Sequence, residues 1–125
     1  MSTPLQFVVL HHTGVPTPHF DVMLERAPGE ALLTWRALSW PMPVLTVLTR
    51  LEDHRAVYLD YEGPVSGGRG QVQRLMHSIA QVSILTTAEG TEHWTLSFDR
   101  SSPPFSCRLN RDVSGCWTGQ TSDTP

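Results

Sequence analysis

The sequence predicts one mainly β domain, folded as a small closed or partly open β-barrel with few short helices. Ten prolines and nine glycines divide the 125 residues into short pieces. Between them lie runs rich in β-branched and aromatic residues, most of them separated by turn words such as Pro28-Gly29, Gly67-Gly68, Glu89-Gly90 and Pro103-Pro104. No window of helical length holds a convincing 3.6-residue apolar period. Short strands at close spacing with such turns are the pattern of a sandwich or barrel.

Taken in order, the expected strands are Phe7-Val8-Val9-Leu10, Phe20-Asp21-Val22-Met23-Leu24 and Leu32-Leu33-Thr34-Trp35. Val57-Tyr58-Leu59-Asp60-Tyr61, Val82-Ser83-Ile84-Leu85-Thr86, Trp94-Thr95-Leu96-Ser97-Phe98 and Phe105-Ser106-Cys107-Arg108-Leu109 follow. Residues 44–52 are the best helical candidate, a weak one with Pro41 and Pro43 just upstream. The whole chain, 1–125, is expected to form one domain, with 1–4 and about 120–125 loose at its ends. Of the four tryptophans, Trp35, Trp40, Trp94 and Trp117, the proline-flanked Trp40 is expected to be the most exposed, where it could stack on an unpaired base.

Composition removes several functions. All nine Lys+Arg residues are arginine, so Schiff-base chemistry, a P-loop lysine and a lysyl-nucleotide intermediate are excluded. A formal charge of −3 argues against a basic surface that coats nucleic acid. Cys107 and Cys116 form neither a CxxC pair nor a disulfide framework and read as ordinary small residues. The start of the chain has no basic region and no long apolar run, and nothing approaches a membrane span. A soluble, cytoplasmic protein with no membrane partner is the expectation.

The densest chemistry is His12-x6-His19-x-Asp21. On a strand, a period of two places His19, Asp21, Met23 and Glu25 on one face and Phe20, Val22 and Leu24 on the other. The loop Thr13-Gly14-Val15-Pro16-Thr17-Pro18 lets His12 close in from the neighbouring strand. One reading is a hydrogen-bonded surface pair beside a chance histidine. The other is two imidazoles and a carboxylate holding Mn²⁺, Fe²⁺ or Zn²⁺ with coordination positions left open. Glu52-Asp53-His54 is similarly divided between a solvated turn and a functional histidine. The stretch from Glu62 to Gly70 reads as a glycine-rich hairpin, or as a phosphate-facing loop carrying Arg69.

Several of these words, in order, resemble the 3′-phosphoesterase domain of bacterial DNA ligase D and its stand-alone relatives. They are Phe7-Val8-Val9-Leu10-His11-His12, His19-Phe20-Asp21-Val22-Met23-Leu24-Glu25, Thr34-Trp35-Arg36 and Leu51-Glu52-Asp53-His54. Tyr58-Leu59-Asp60-Tyr61-Glu62-Gly63 and Gly67-Gly68-Arg69-Gly70 complete the set, which spans residues 5–75. The resemblance implies a β-barrel enzyme that trims DNA 3′ ends with a divalent metal, typically manganese. It acts first on a 3′ ribonucleotide as a phosphodiesterase and then on the 3′-phosphate as a phosphomonoesterase. His12, His19 and Asp21 are similar to its metal ligands, His54 to its catalytic histidine, and Tyr58 to a tyrosine near the scissile phosphate.

Two departures stand out. Met23 occupies a position where the ligase-fused members typically carry arginine, and Arg50 is offset from the basic residue expected upstream of the catalytic histidine. Arg36 and Arg69 are the candidates to replace that charge, and Glu52 is expected to orient an imidazole. The expected function is therefore a DNA-repair hydrolase for end joining, acting on primer-template or nicked DNA beside separate ligase or polymerase proteins. One alternative is a catalytically weakened module of the same fold that binds DNA ends or a partner. A second is a non-haem iron oxygenase, with His77 or His93 completing His-x-Asp.

Overall fold

A computed structural model of the chain describes residues 3–98 and 105–123. The strands are β1 (Pro4–Thr13), β2 (His19–Glu25), β3 (Leu32–Ala37), β4 (Thr46–His54), β5 (Gly63–Pro64), β6 (Gln71–Thr86), β7 (Glu92–Phe98), β8 (Phe105–Arg111) and β9 (Trp117–Asp123). All pairings are antiparallel. The order β1-β2-β3-β4-β9-β8-β7-β6 closes through β1–β6 into an eight-stranded barrel, and β5 adds a short edge to β6. Closure removes the open edges that an eight-strand sheet would otherwise present. The expected β-barrel is what the chain forms.

Three expectations on individual elements are corrected. Residues 44–52 are not helical: Thr46–His54 is β4, hydrogen-bonded to β3 and β9. The run Val57–Tyr61 is not a strand. Ala56–Leu59 makes a single 3-10 turn that places Leu59 in a buried cluster. The loose end expected near residue 120 is instead β9, in which Thr121 exchanges hydrogen bonds with Met42; residues 124–125 lie outside the described part, as do Met1 and Ser2 at the other end.

The apolar residues form two clusters, one on each face of β1–β3. Phe7, Val9, Val22, Leu24, Trp35, Leu96, Phe98, Leu109 and Trp117 fill the barrel. Trp35, Trp94 and Trp117 meet edge to face in pairs, with centroids 5.3–5.9 Å apart. Trp40, expected to be exposed, is half-buried against Phe7 and Phe105. Cys107 is part of this core, where burial pushes its thiol up to about 12, and Cys116 is exposed; both are free. Among the described residues, no helix is long and apolar enough to cross a membrane, which says nothing about strands.

The second cluster lies on the other face. Val8, Leu10, Met23 and Leu32 alternate with the barrel residues and are covered by Leu59, Val72, Tyr58, Tyr61 and Val65. The sheet is therefore buried on both sides here, with the 3-10 turn and the β5–β6 hairpin acting as a lid. Two irregularities in register lie along these strands. One lies in the β1–β6 pairing, between Val9 and Leu10. The other lies between β3 and β4, where Leu32 pairs with His54 but Thr34 pairs with Leu51.

Candidate metal centre

The alternation expected for β2 is observed. Phe20, Val22 and Leu24 face the barrel core, and His19, Asp21, Met23 and Glu25 are all buried on the opposite face. His12, next to the end of β1, lies directly opposite His19 in the ladder, and their rings lie 4.8 Å apart. His11, one residue away, turns to the other side and stacks on Phe20. Asp21 is placed between the two imidazoles. Its Oδ2 lies 3.3 Å from His12 Nδ1, and its Oδ1 lies 3.3 Å from His19 Nε2.

The distal nitrogen of each ring is tied to the main chain. His12 Nε2–H donates to the Arg69 carbonyl at 2.6 Å, and His19 Nδ1–H donates to the Thr17 carbonyl at 2.9 Å. With those nitrogens taken, His12 Nδ1 and His19 Nε2 are the ring atoms turned toward Asp21, the first within hydrogen-bonding reach of its Oδ2. His19 Nε2 is completely buried and has no hydrogen-bond partner among the described residues, because Asp21 is near it but not in hydrogen-bonding geometry. A buried lone pair without a donor is costly, and a cation shared with the carboxylate satisfies it. His12, His19 and Asp21 each offer one ligand atom, all within 4.8 Å of one another. Two nitrogens and one carboxylate oxygen suit Mn²⁺, Fe²⁺ or Zn²⁺.

Glycine makes the Arg69–His12 bond possible. Gly14 and Gly70 both adopt positive φ, +73° and +75°, where the β1–β2 loop crosses the β5–β6 hairpin. A Cβ on Gly14 would stand 3.1 Å from Gly70 Cα, and one on Gly70 would overlap the Thr13 carbonyl oxygen. With no side chains there, the hairpin comes close enough for the Arg69 carbonyl to reach His12.

Beside the three ligand candidates opens a cleft of about 410 Å³. His12 and Asp21 line it together with Glu52, His54, Tyr58 and Arg69, over an apolar floor that includes Leu10 and Met23. His54 is paired opposite Leu32 and meets Tyr58 edge to face at 5.8 Å. Its Nδ1–H donates to the Glu52 carbonyl at 3.0 Å, which leaves Nε2 for a ligand. Glu52 thus orients an imidazole through its backbone, and its exposed carboxylate takes no part in that bond.

The other candidate cations are arranged unevenly. Arg69 contributes its carbonyl, while its guanidinium folds back onto the Ser66 carbonyl and hydroxyl. Arg36 is exposed on β3, opposite Asp21 in register, and does not line the cleft. Arg50 pairs with Asp53 and lies over the Trp35 ring, 5.3 Å from its centroid. Met23 is fully buried and brings no charge. His77 bonds Gln6, and His93 bonds Asn110 and Thr91, so neither joins the His-x-Asp group as the oxygenase reading requires.

No protein-family model matches the chain, and no curated protein matches it.

Two cleft residues carry no role of their own in the sequence reading, which names Asp53 only as part of Glu52-Asp53-His54. Asp53 accepts hydrogen bonds from Arg26 at 2.9 Å and Arg50 at 3.1 Å. Partial burial pushes its carboxyl up, but the two guanidinium hydrogen bonds outweigh that and hold it below the ordinary value. Arg55 follows His54 and points into the same cleft. Its only sequence signal was adjacency to His54, since it lies in a connection with no periodicity.

Proposed function

We propose that the chain is a metal-dependent phosphoesterase acting on DNA 3′ ends, removing a terminal ribonucleotide, a terminal phosphate or both. The observation that carries this reading is the orphaned, buried Nε2 of His19 aimed at Asp21, beside a cleft that also contains His54 and Tyr58. The resemblance in the ordered words from residue 5 to residue 75 supports the choice of substrate. Ligation cannot reside in these 125 residues, because without lysine they cannot form a lysyl-nucleotide.

His12, His19 and Asp21 would hold the ion, with Mn²⁺ preferred on the resemblance and Zn²⁺ compatible with the same donors. When bound, it supplies positive charge that polarises a phosphoester. His54, anchored through Nδ1, exchanges a proton at Nε2 with the attacking or leaving oxygen. Tyr58 stands against His54 and offers its hydroxyl to a phosphate oxygen. The lid residues Leu59 and Val65 cover the apolar floor next to this chemistry.

The test is purified protein with Mn²⁺ and a DNA primer ending in a ribonucleotide or a 3′-phosphate. Trimming by the wild type and its loss in His19→Ala are expected. Absence of trimming, or an equally fast His19→Ala variant, overturns the reading. One observation favours a second reading, a DNA-end-binding module without turnover: Met23 is buried and uncharged where the ligase-fused members of the resembling family typically carry arginine. Mn²⁺-dependent binding of a 3′-phosphorylated oligonucleotide without hydrolysis would establish that module instead.

A further inference from the structure

We propose that Arg55 grips the anionic group of the ligand in the metal cleft, and that the groove beyond Tyr58 seats the nucleoside attached to that group. The proposal rests on the metal-cleft reading above and names the ligand's chemistry in more detail: a nucleotide bearing a terminal phosphate.

The first support is the disposition of guanidinium groups around the site. Arg26 and Arg50 are both spent on Asp53. Arg69 is folded onto Ser66, and Arg74 bonds the Leu59 carbonyl and faces Asp60. Arg36 lies outside the cleft lining. Arg55 lines the cleft and is exposed; its carbonyl accepts from the Tyr58 N–H, but its guanidinium makes no ion pair or hydrogen bond among the described residues. It is thus the guanidinium of the cleft that is left free, and its planar fork matches two phosphate oxygens at once. Glu52 on the same rim has no cation paired with it among the described residues, so an anion entering the cleft needs both the metal charge and Arg55.

The second support is an adjoining groove of about 250 Å³. Arg55, Tyr58 and Val65 line both spaces, and Val57, Tyr61 and Pro64 belong to the groove alone. An aromatic row runs from His54 through Tyr58 to Tyr61, with successive centroids 5.8 Å apart. The Tyr61 hydroxyl donates to the Pro64 carbonyl, which holds its ring in place. Fixed tyrosine rings beside a free arginine form a surface for a base joined to a phosphate, since every base has a π-face and stacking tolerates sequence. A ligand held at the metal by its phosphate would have its nucleoside in this groove, with Arg55 at the junction.

The experiment measures binding to the Mn²⁺-loaded protein by calorimetry, with inorganic phosphate and a ribonucleoside 3′-monophosphate as probes. Arg55→Ala should weaken both probes about tenfold or more, as expected for losing a charge-assisted hydrogen bond, while Mn²⁺ affinity stays within twofold. Tyr61→Leu should weaken the nucleotide about fivefold and leave inorganic phosphate unaffected, and Tyr61→Phe, which keeps the ring but loses its tie to the Pro64 carbonyl, should weaken the nucleotide less than Tyr61→Leu does. Wild-type phosphate affinity in Arg55→Ala overturns the anion grip, and wild-type nucleotide affinity in Tyr61→Leu overturns the groove. Either result leaves the metal-cleft reading standing if His19→Ala loses Mn²⁺ and phosphate together. A wild-type protein that binds neither probe with Mn²⁺ present overturns both.

Discussion

His54 lies directly opposite Leu32, on the face of the sheet away from the barrel core, although unbroken alternation from Leu48 would turn it inward. Leu48 is a core residue and is six positions earlier, so strict period two gives the two residues the same direction. The pairings Leu32–His54 and Thr34–Leu51 set three steps on β4 against two on β3. This extra residue is a β-bulge, which re-aims the side chain that follows it. Asp53 sits in the bulge, held by Arg26 from the β2–β3 turn and by Arg50 from β4 itself.

Asp53→Asn should therefore disturb His54 more than the metal. We expect a kcat loss of about tenfold with Mn²⁺ affinity unchanged, and a stability loss of about 1 kcal/mol, kept small by the exposure of the pair. The folded carboxyl sits below its ordinary value of 3.8. Its contribution is therefore fully present above that value and fades as pH falls through the lower folded value. Chemical denaturation of both proteins at pH 7 and pH 3 checks this: their stability difference should shrink in acid.

Gly70→Ala should weaken the metal site from outside it. Its φ of +75° and the overlap of a new Cβ with the Thr13 oxygen force the hairpin back and pull the Arg69 carbonyl from His12. Loss of such a supporting hydrogen bond costs a metal site roughly 10–100-fold in affinity. Gly68→Ala is the comparison, because its φ is also positive, +68°, but its surroundings are open. It should cost about 1–2 kcal/mol of backbone strain without changing Mn²⁺ affinity.

His54→Gln separates chemistry from metal binding. Mn²⁺ titration should match the wild type, and 3′-end trimming should fall by about 10²–10⁴, the range for a lost acid–base group. A simultaneous loss of metal would show that His54 is a ligand.

If the proposed site takes Mn²⁺, the ion should stabilise the fold, because the three side chains come together only when β1 and β2 are paired. At about 100 times its Kd the gain is about 2.7 kcal/mol, visible as a rise in Tm that a chelator reverses. His19→Ala should abolish the rise.

The His19–Asp21 face was legible in the sequence because it depends on period two within one strand, and neighbours at i and i+2 need no partner to share a side. His12 was within reach for a similar reason, since a six-residue loop returns the chain beside it. Residues 44–52 and Val57–Tyr61 were misjudged because short apolar runs carry little local preference. The first becomes β4 by pairing with β3 and β9, and the second turns at Ala56–Leu59 to bury Leu59 over Met23 and Val8.

By itself, then, the sequence determined a lysine-free β-barrel and the three side chains able to share an ion. Only the tertiary structure decided that His54 joins them, that Arg69 serves through its carbonyl, and that Arg55 is the guanidinium left free. A bulge, a glycine crossing and a set of ion pairs each depend on segments far apart in the chain. Their geometry is set by packing and register between strands, which no local pattern of residues encodes.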